Sequence, residues 1–207
     1  MKITLFGATG NAGRYILAEL LAAGHEVTAV VRTPERVAAR PGLHVVAGNV
    51  LQPESIEPVI AGADAIVSTI SEGLIIQTHT QSRGMVHIVR TLQQCGVNRL
   101  IALAAFGILQ ATESSLNYQQ PWFPSVYQPI SEEHRVVWQT LQASPLAWTL
   151  VCPPVILPQP ANGRYLHQAA TMPGGPQQVS GGNLGAFIVA ELAAPQYVHQ
   201  RVGIWNG

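Results

Sequence analysis

The chain has 207 residues, 47% of them hydrophobic and only 11% charged, with eleven cations balancing eleven anions. Neutral overall and free of Lys/Arg-rich runs, it has no field to gather a nucleic-acid backbone, and it lacks the roughly 20-residue apolar stretch of a membrane-spanning helix. Two cysteines, Cys95 and Cys152, are too few for a disulfide framework and no secretory leader is visible, so a cytoplasmic monomer or homodimer is expected.

Short apolar runs alternate with longer helical stretches, the pattern of a parallel sheet covered on both faces. Strands are predicted at Ile3–Phe6, Val27–Val31, Leu43–Ala47, Ala65–Thr69, Leu100–Ala104 and Ala147–Cys152. Helices are predicted over Asn11–Ala23, Glu35–Ala39 (short), Pro53–Ala61, Thr80–Cys95, Ser131–Ala143 and Gly185–Leu192, the last capped by Asn183 or Ser180. Ser131 reads as the N-cap of its helix, with Glu132 and Glu133 in the first turn. Two proline-rich segments, 106–130 and 153–182, read as long loops that follow strand ends, where an open α/β sheet binds ligands.

Gly7-Ala8-Thr9-Gly10-Asn11-Ala12-Gly13 lies between the first strand and the first helix. In that context Gly7 permits a tight turn, Gly10 lets the backbone approach a pyrophosphate, and Gly13 lets the helix pack close to the sheet. The N–H groups of residues 10 to 13 and the helix dipole then face the diphosphate. The expectation is an α/β Rossmann fold over residues 1–207 as one domain: a doubly wound, mostly parallel sheet with a small C-terminal extension on the substrate side. An NAD site would carry a carboxylate at the end of strand two. Here Val31 is followed by Arg32 and Thr33, a guanidinium and a hydroxyl suited to a 2′-phosphate, so NADP(H) is expected over NAD(H).

With these residues the chain resembles the atypical short-chain dehydrogenase/reductases of the NAD(P)H-binding, NmrA-like group. Within it the chain is most similar to biliverdin-IXβ reductase/flavin reductase and bacterial NADH-flavin reductases. The glycine motif, Val30-Val31-Arg32, Gly48-Asn49-Val50, Ala63–Val67, Trp148–Pro154 and Gln178–Gly185 carry the resemblance, which covers essentially the whole chain. It implies that Asn49 and Val50 lie beside the adenine and that Ser68, Thr69 and Ile70 line the ribose and diphosphate. It also implies that Pro153, Pro154 and Val155 back the nicotinamide. Three positions depart from the group's pattern. Ala104-Ala105 stands where a serine is common, Val155 where the biliverdin/flavin reductases have histidine, and Asn49 where an aspartate is frequent.

Lys2 is the chain's sole lysine, so the Tyr-x-x-x-Lys pair of short-chain dehydrogenases is absent. Passing a hydride from NADPH to a flavin, a quinone or a similar flat acceptor asks less of the protein, because positioning supplies most of the help. Trp122, Phe123 and Tyr127, and after them Tyr165, are the expected walls of an apolar slot, and Tyr127 and His134 the expected proton donors. The remaining histidines read as isolated and no metal site is expected. The alternative function is a redox sensor of the NmrA-like type that binds NADP(H) without turnover.

Overall fold

The computed structural model describes residues 1–74, 76, 78–174 and 177–207. In chain order its strands begin β1 (Lys2–Phe6), β2 (Glu26–Val31), β3 (Leu43–Ala47), β4 (Ala65–Ser68), β5 (Arg99–Leu103), β6 (Gln110–Thr112) and β7 (Ser115–Leu116). They continue with β8 (Ala147–Cys152), β9 (Val155–Leu157), β10 (Tyr165–Ala169), β11 (Gln178–Ser180) and β12 (Gln200–Asn206). The α-helices are α1 (Gly13–Ala22), α2 (Pro53–Ile60), α3 (Thr80–Cys95), α4 (Gln128–Gln142) and α5 (Gly181–Ala193).

The main sheet has eight strands in the order β10-β12-β8-β5-β4-β1-β2-β3, all parallel except β10, which runs antiparallel to β12. This is the expected mostly parallel Rossmann architecture. Strand order reverses between β1 and β4, and that crevice at the carboxyl ends is where an open α/β sheet takes its ligand. One core packs α2, α3 and α4 against the sheet through residues such as Ile66, Ile88, Leu100 and Val137. The other packs α1 and α5 through Leu5, Ile16, Leu20, Leu184 and Ile188. Strands buried on both faces explain the near-continuous apolar runs.

Four local expectations need correction. The short helix expected over Glu35–Ala39 is a single 3₁₀ turn, Pro34–Arg36, closed by the N–H of Val37 on the Pro34 carbonyl. α4 starts at Gln128, with Pro129 in its first turn, where a missing N–H costs nothing. Ser131 is therefore not an N-cap; its hydroxyl donates back to the Tyr127 carbonyl at 2.8 Å. The segments expected as loops also carry structure: β6 and β7 form a ribbon, β9 and β11 a parallel pair, and β10 an edge strand.

Asn183 fastens the second of those segments. Completely buried, it accepts from the N–H groups of Asn162 and Gly163 at 3.0 and 3.2 Å. Its amide donates to Asn162 Oδ1, the Arg164 carbonyl and Asn206 Oδ1 at 2.9 to 3.1 Å. Ser180 is the cap of α5, accepting from the Asn183 N–H at 3.0 Å. Among the described residues no helix is long and apolar enough to cross a membrane.

Candidate functional site

β1 runs into Gly7, whose φ of +84° lies in the left-handed region that favours glycine. The carbonyl of Gly7 accepts from the Gly10 N–H and from the Thr69 hydroxyl, both at 3.0 Å. Thr69, just past β4, thereby bridges the crevice where strand order reverses. A Cβ on Gly13 would stand 2.0 Å from the Gly7 oxygen, so α1 can start this close to the turn only with glycine there. α1 has no side-chain cap, and among the described residues the N–H groups of Asn11, Ala12 and Gly13 donate to no backbone acceptor. They form a ready anion cradle at a helix start. Arg14 turns aside, donating to Asn11 Oδ1 at 3.1 Å.

The other expected cofactor residues lie at the same edge of the sheet. Arg32, exposed just past β2, takes part in none of the three ion pairs found among the described residues. Thr33, half-buried, follows it. Asn49 closes a turn, its side-chain oxygen accepting from the Leu51 N–H at 3.0 Å. Val50 is buried, with its Cγ2 2.7 Å from where a Cβ on Gly84 of α3 would stand. Ser68 is buried at the end of β4, and Ile70 is half-buried against the core. Ala104 donates its N–H to the Val151 carbonyl at 2.8 Å, and Phe106 donates to Pro153 at 2.9 Å, which brings Ala104 and Pro153 to neighbouring strand ends. Val155 stands exposed beyond them.

Beyond the carboxyl end of β5 the aromatic residues form a ladder. Ring centroids are 6.3 Å apart for Phe106 and Trp122, 6.1 Å for Trp122 and Phe123, and 6.3 Å for Phe123 and Tyr127. Tyr165 stands elsewhere, against Phe187 of α5 at 6.3 Å. Tyr127 is at the surface, whereas His134 lies in the second turn of α4 and is buried.

One pair escaped the sequence reading. His79, read as isolated, donates from Nδ1 to Glu133 Oε1 at 2.5 Å, and Glu133 also accepts from the Ser82 N–H at 3.2 Å. The two residues are 54 positions apart, and no local pattern joins them. Glu72 similarly gathers Thr78 and Thr80 at the start of α3. Cys152 is buried, and burial pushes its thiol up to about 12, so it is inert at neutral pH.

The sequence pattern of the family described as NAD(P)H-binding matches residues 7–195, nearly the whole chain and the entire site described above. The chain belongs to the NAD(P)H-binding family. It is 28% identical over 119 residues to "Photosystem II assembly factor Ycf39" of Synechocystis, covering 55% of this chain and 35% of that protein. The chain thus spans only about a third of that relative's length. Among solved structures, a "Putative exported protein from Burkholderia pseudomallei" superposes with a TM-score of 0.88 at 25% identity, covering 99% of both chains. A "putative NADH-flavin reductase" from Streptococcus pneumoniae gives 0.83 at 22% identity over 100% of each chain, and so shares the fold.

The residues of this NAD(P)H-binding chain fit the group its family is named for. The cradle is one that a Cβ at position 13 would fill, the free N–H groups start a helix, and the loop sits at the strand-order reversal. His134, expected as a proton donor, is enclosed in the fold. Among the described residues its Nδ1 is buried without a hydrogen-bond partner, and burial lowers its pKa from 6.5 to about 4. The folded state therefore holds it neutral while the unfolded chain protonates it near 6.5. Stability is unaffected above that value and is lost as pH falls from 6.5 towards 4, by about 3 kcal/mol in total. Replacing it, as His134→Gln, should flatten that part of the stability curve in urea titrations between pH 7 and 4. An unchanged slope would assign the acid sensitivity to other groups.

Proposed function

We propose that the protein is an NADPH-dependent reductase whose acceptor is a flavin, a quinone or a similar flat molecule. The observation that carries this reading is the distribution of exposed apolar side chains. Among the described residues eight large ones are exposed, and Leu74, Trp122, Val126, Tyr127 and Val155 all lie on connections leaving the carboxyl ends of β4, β5 and β8. Those three strands are neighbours in the sheet. Their exposures run from 43% for Tyr127 to 58% for Val155, a cost in water that a flat apolar ligand would remove.

When bound, a reduced nicotinamide supplies a hydride, and with one proton from water this completes a two-electron reduction of the acceptor. The chain's part is to hold and orient. Gly10 to Gly13 receive the diphosphate, with Thr9 beside them, and Arg32 with Thr33 receives the 2′-phosphate. Asn49 and Val50 flank the adenine, while Ser68, Thr69 and Ile70 line the ribose and diphosphate. Ala104, Pro153 and Val155 back the nicotinamide, and Trp122, Phe123 and Tyr127 wall the acceptor. The reading carries a cytoplasmic location, where reduced nicotinamide is supplied.

The preference for NADPH has its own test. Arg32→Ala should weaken NADPH binding by about ten- to a hundredfold, the worth of a charge-assisted contact, and leave NADH binding within about twofold. Calorimetric titration measures both; equal losses would remove Arg32 from the phosphate site. A sensor that binds NADP(H) without turnover is the second reading, favoured by the burial of His134 and the lack of any lysine beyond Lys2. Acceptor-dependent turnover separates the two.

A further inference from the structure

We infer that the slot selects an uncharged acceptor, such as riboflavin or a simple quinone, and disfavours one that carries a phosphate. The inference rests on the reductase reading and concerns which flat molecules the same site admits.

The chain between Ala104 and His134 contains no lysine or arginine, and neither does the stretch from Pro153 to Gly163. These stretches supply Trp122, Val126, Tyr127 and Val155. Most of the charges that stand at this end of β4 and β5 are carboxylates with their partners. Glu72 accepts from Thr78 and Thr80, while Arg83 in the first turn of α3 donates to the Thr78 carbonyl at 3.3 Å. Glu132 holds Arg135 and accepts from the Tyr118 hydroxyl at 2.8 Å. The 62%-exposed His79 side chain is engaged at Nδ1 by buried Glu133 at 2.5 Å. Glu113, on the turn between β6 and β7, takes part in none of the ion pairs.

Arg201 is no exception. Buried, it donates to the Ile108 carbonyl and to Gln110 Oε1, and its guanidinium sits 3.6 Å from the centre of the Trp138 ring. Arg14 and Arg32 belong to the dinucleotide side, beyond β1. Arg164 precedes β10, at the far edge of the sheet. Among the described residues, a phosphate carried into the slot would therefore meet apolar surface and carboxylates, with Arg83, outside these stretches in the first turn of α3, as the one exposed guanidinium at this end.

The test is equilibrium binding, so that it reads separately from turnover. Riboflavin and FMN are titrated by fluorescence quenching into the whole protein saturated with NADP⁺, at low ionic strength. Riboflavin should bind saturably and FMN at least about tenfold more weakly. Val126→Lys, at an exposed rim position, should tighten FMN and close most of that gap. FMN binding as tightly as riboflavin, binding of neither flavin, or a gap that Val126→Lys leaves untouched would each overturn the inference. Failure of the reductase reading has another signature: riboflavin binds, yet no acceptor speeds NADPH oxidation.

Discussion

Gly13→Ala is expected to cost about 3 kcal/mol of stability and to weaken NADPH binding at least a hundredfold, on the order of 3 kcal/mol. The new methyl would stand 2.0 Å from the Gly7 oxygen, 2.8 Å from the Gly7 carbonyl carbon and 2.9 Å from Thr69 Oγ1. None of the three can yield cheaply. The Gly7 carbonyl is held by two donors, the Gly10 N–H and the Thr69 hydroxyl, and the Thr69 N–H is tied to Phe6 at 2.9 Å. α1 would have to move away from the turn and take the free N–H groups with it. Gly10→Ala makes the contrast. Its Cβ would meet only the Gly7 oxygen, at 3.2 Å, so the fold should keep nearly all its stability while diphosphate binding suffers. Thermal unfolding and calorimetric titration of both variants separate packing from binding. A Gly13→Ala protein with unaltered melting and affinity would contradict this account of the loop.

Glu191→Ala should be the most destabilising change remote from the site, at about 4 kcal/mol, because it strands a guanidinium whose side chain is only 12% exposed. Glu191 is buried on α5 and pairs with Arg99 at the start of β5 at 3.1 Å. Its carboxylate also accepts from the Thr149 hydroxyl at 3.0 Å and from the Gln196 and Tyr197 N–H groups at 2.9 Å. Arg99 reaches on to Thr149 Oγ1 and the Ala147 carbonyl on β8. One carboxylate thus ties β5, β8, α5 and the turn into β12 at the amino-terminal edge of the sheet. Urea unfolding of Glu191→Ala measures the loss, and Glu191→Gln, which keeps an acceptor oxygen, should lose less. A loss under about 1 kcal/mol would mean that water replaces the carboxylate.

Much of the fold was legible because its signals are local. Runs such as Ala65-Ile66-Val67 are buried on both faces, and the glycine loop sits between a strand and a helix as its spacing implied. Gly96, with a φ of +70°, stops α3 where the sequence placed its end. The start of α4 was misread because Pro129 was taken as loop punctuation, although proline is also at home in a first helical turn. β12 went unseen because Arg201 and Gly203 interrupt its apolar pattern. Arg201 is buried there only because Trp138, Ile108 and Gln110, all distant in sequence, receive it. The dyad of His79 and Glu133 and the network around Glu191 were invisible for the same reason: each joins residues that only the folded sheet brings together.

A reductase, unlike a sensor, turns over its reduced nicotinamide cofactor. The most direct measurement follows the absorbance of NADPH, and then of NADH, with purified protein and riboflavin, FMN or a naphthoquinone in turn. The expected result is saturable, protein-dependent oxidation that is faster with NADPH and is lost in Gly13→Ala. Tight binding of NADPH with no acceptor-dependent oxidation would contradict it, and would make the protein a sensor of the cofactor.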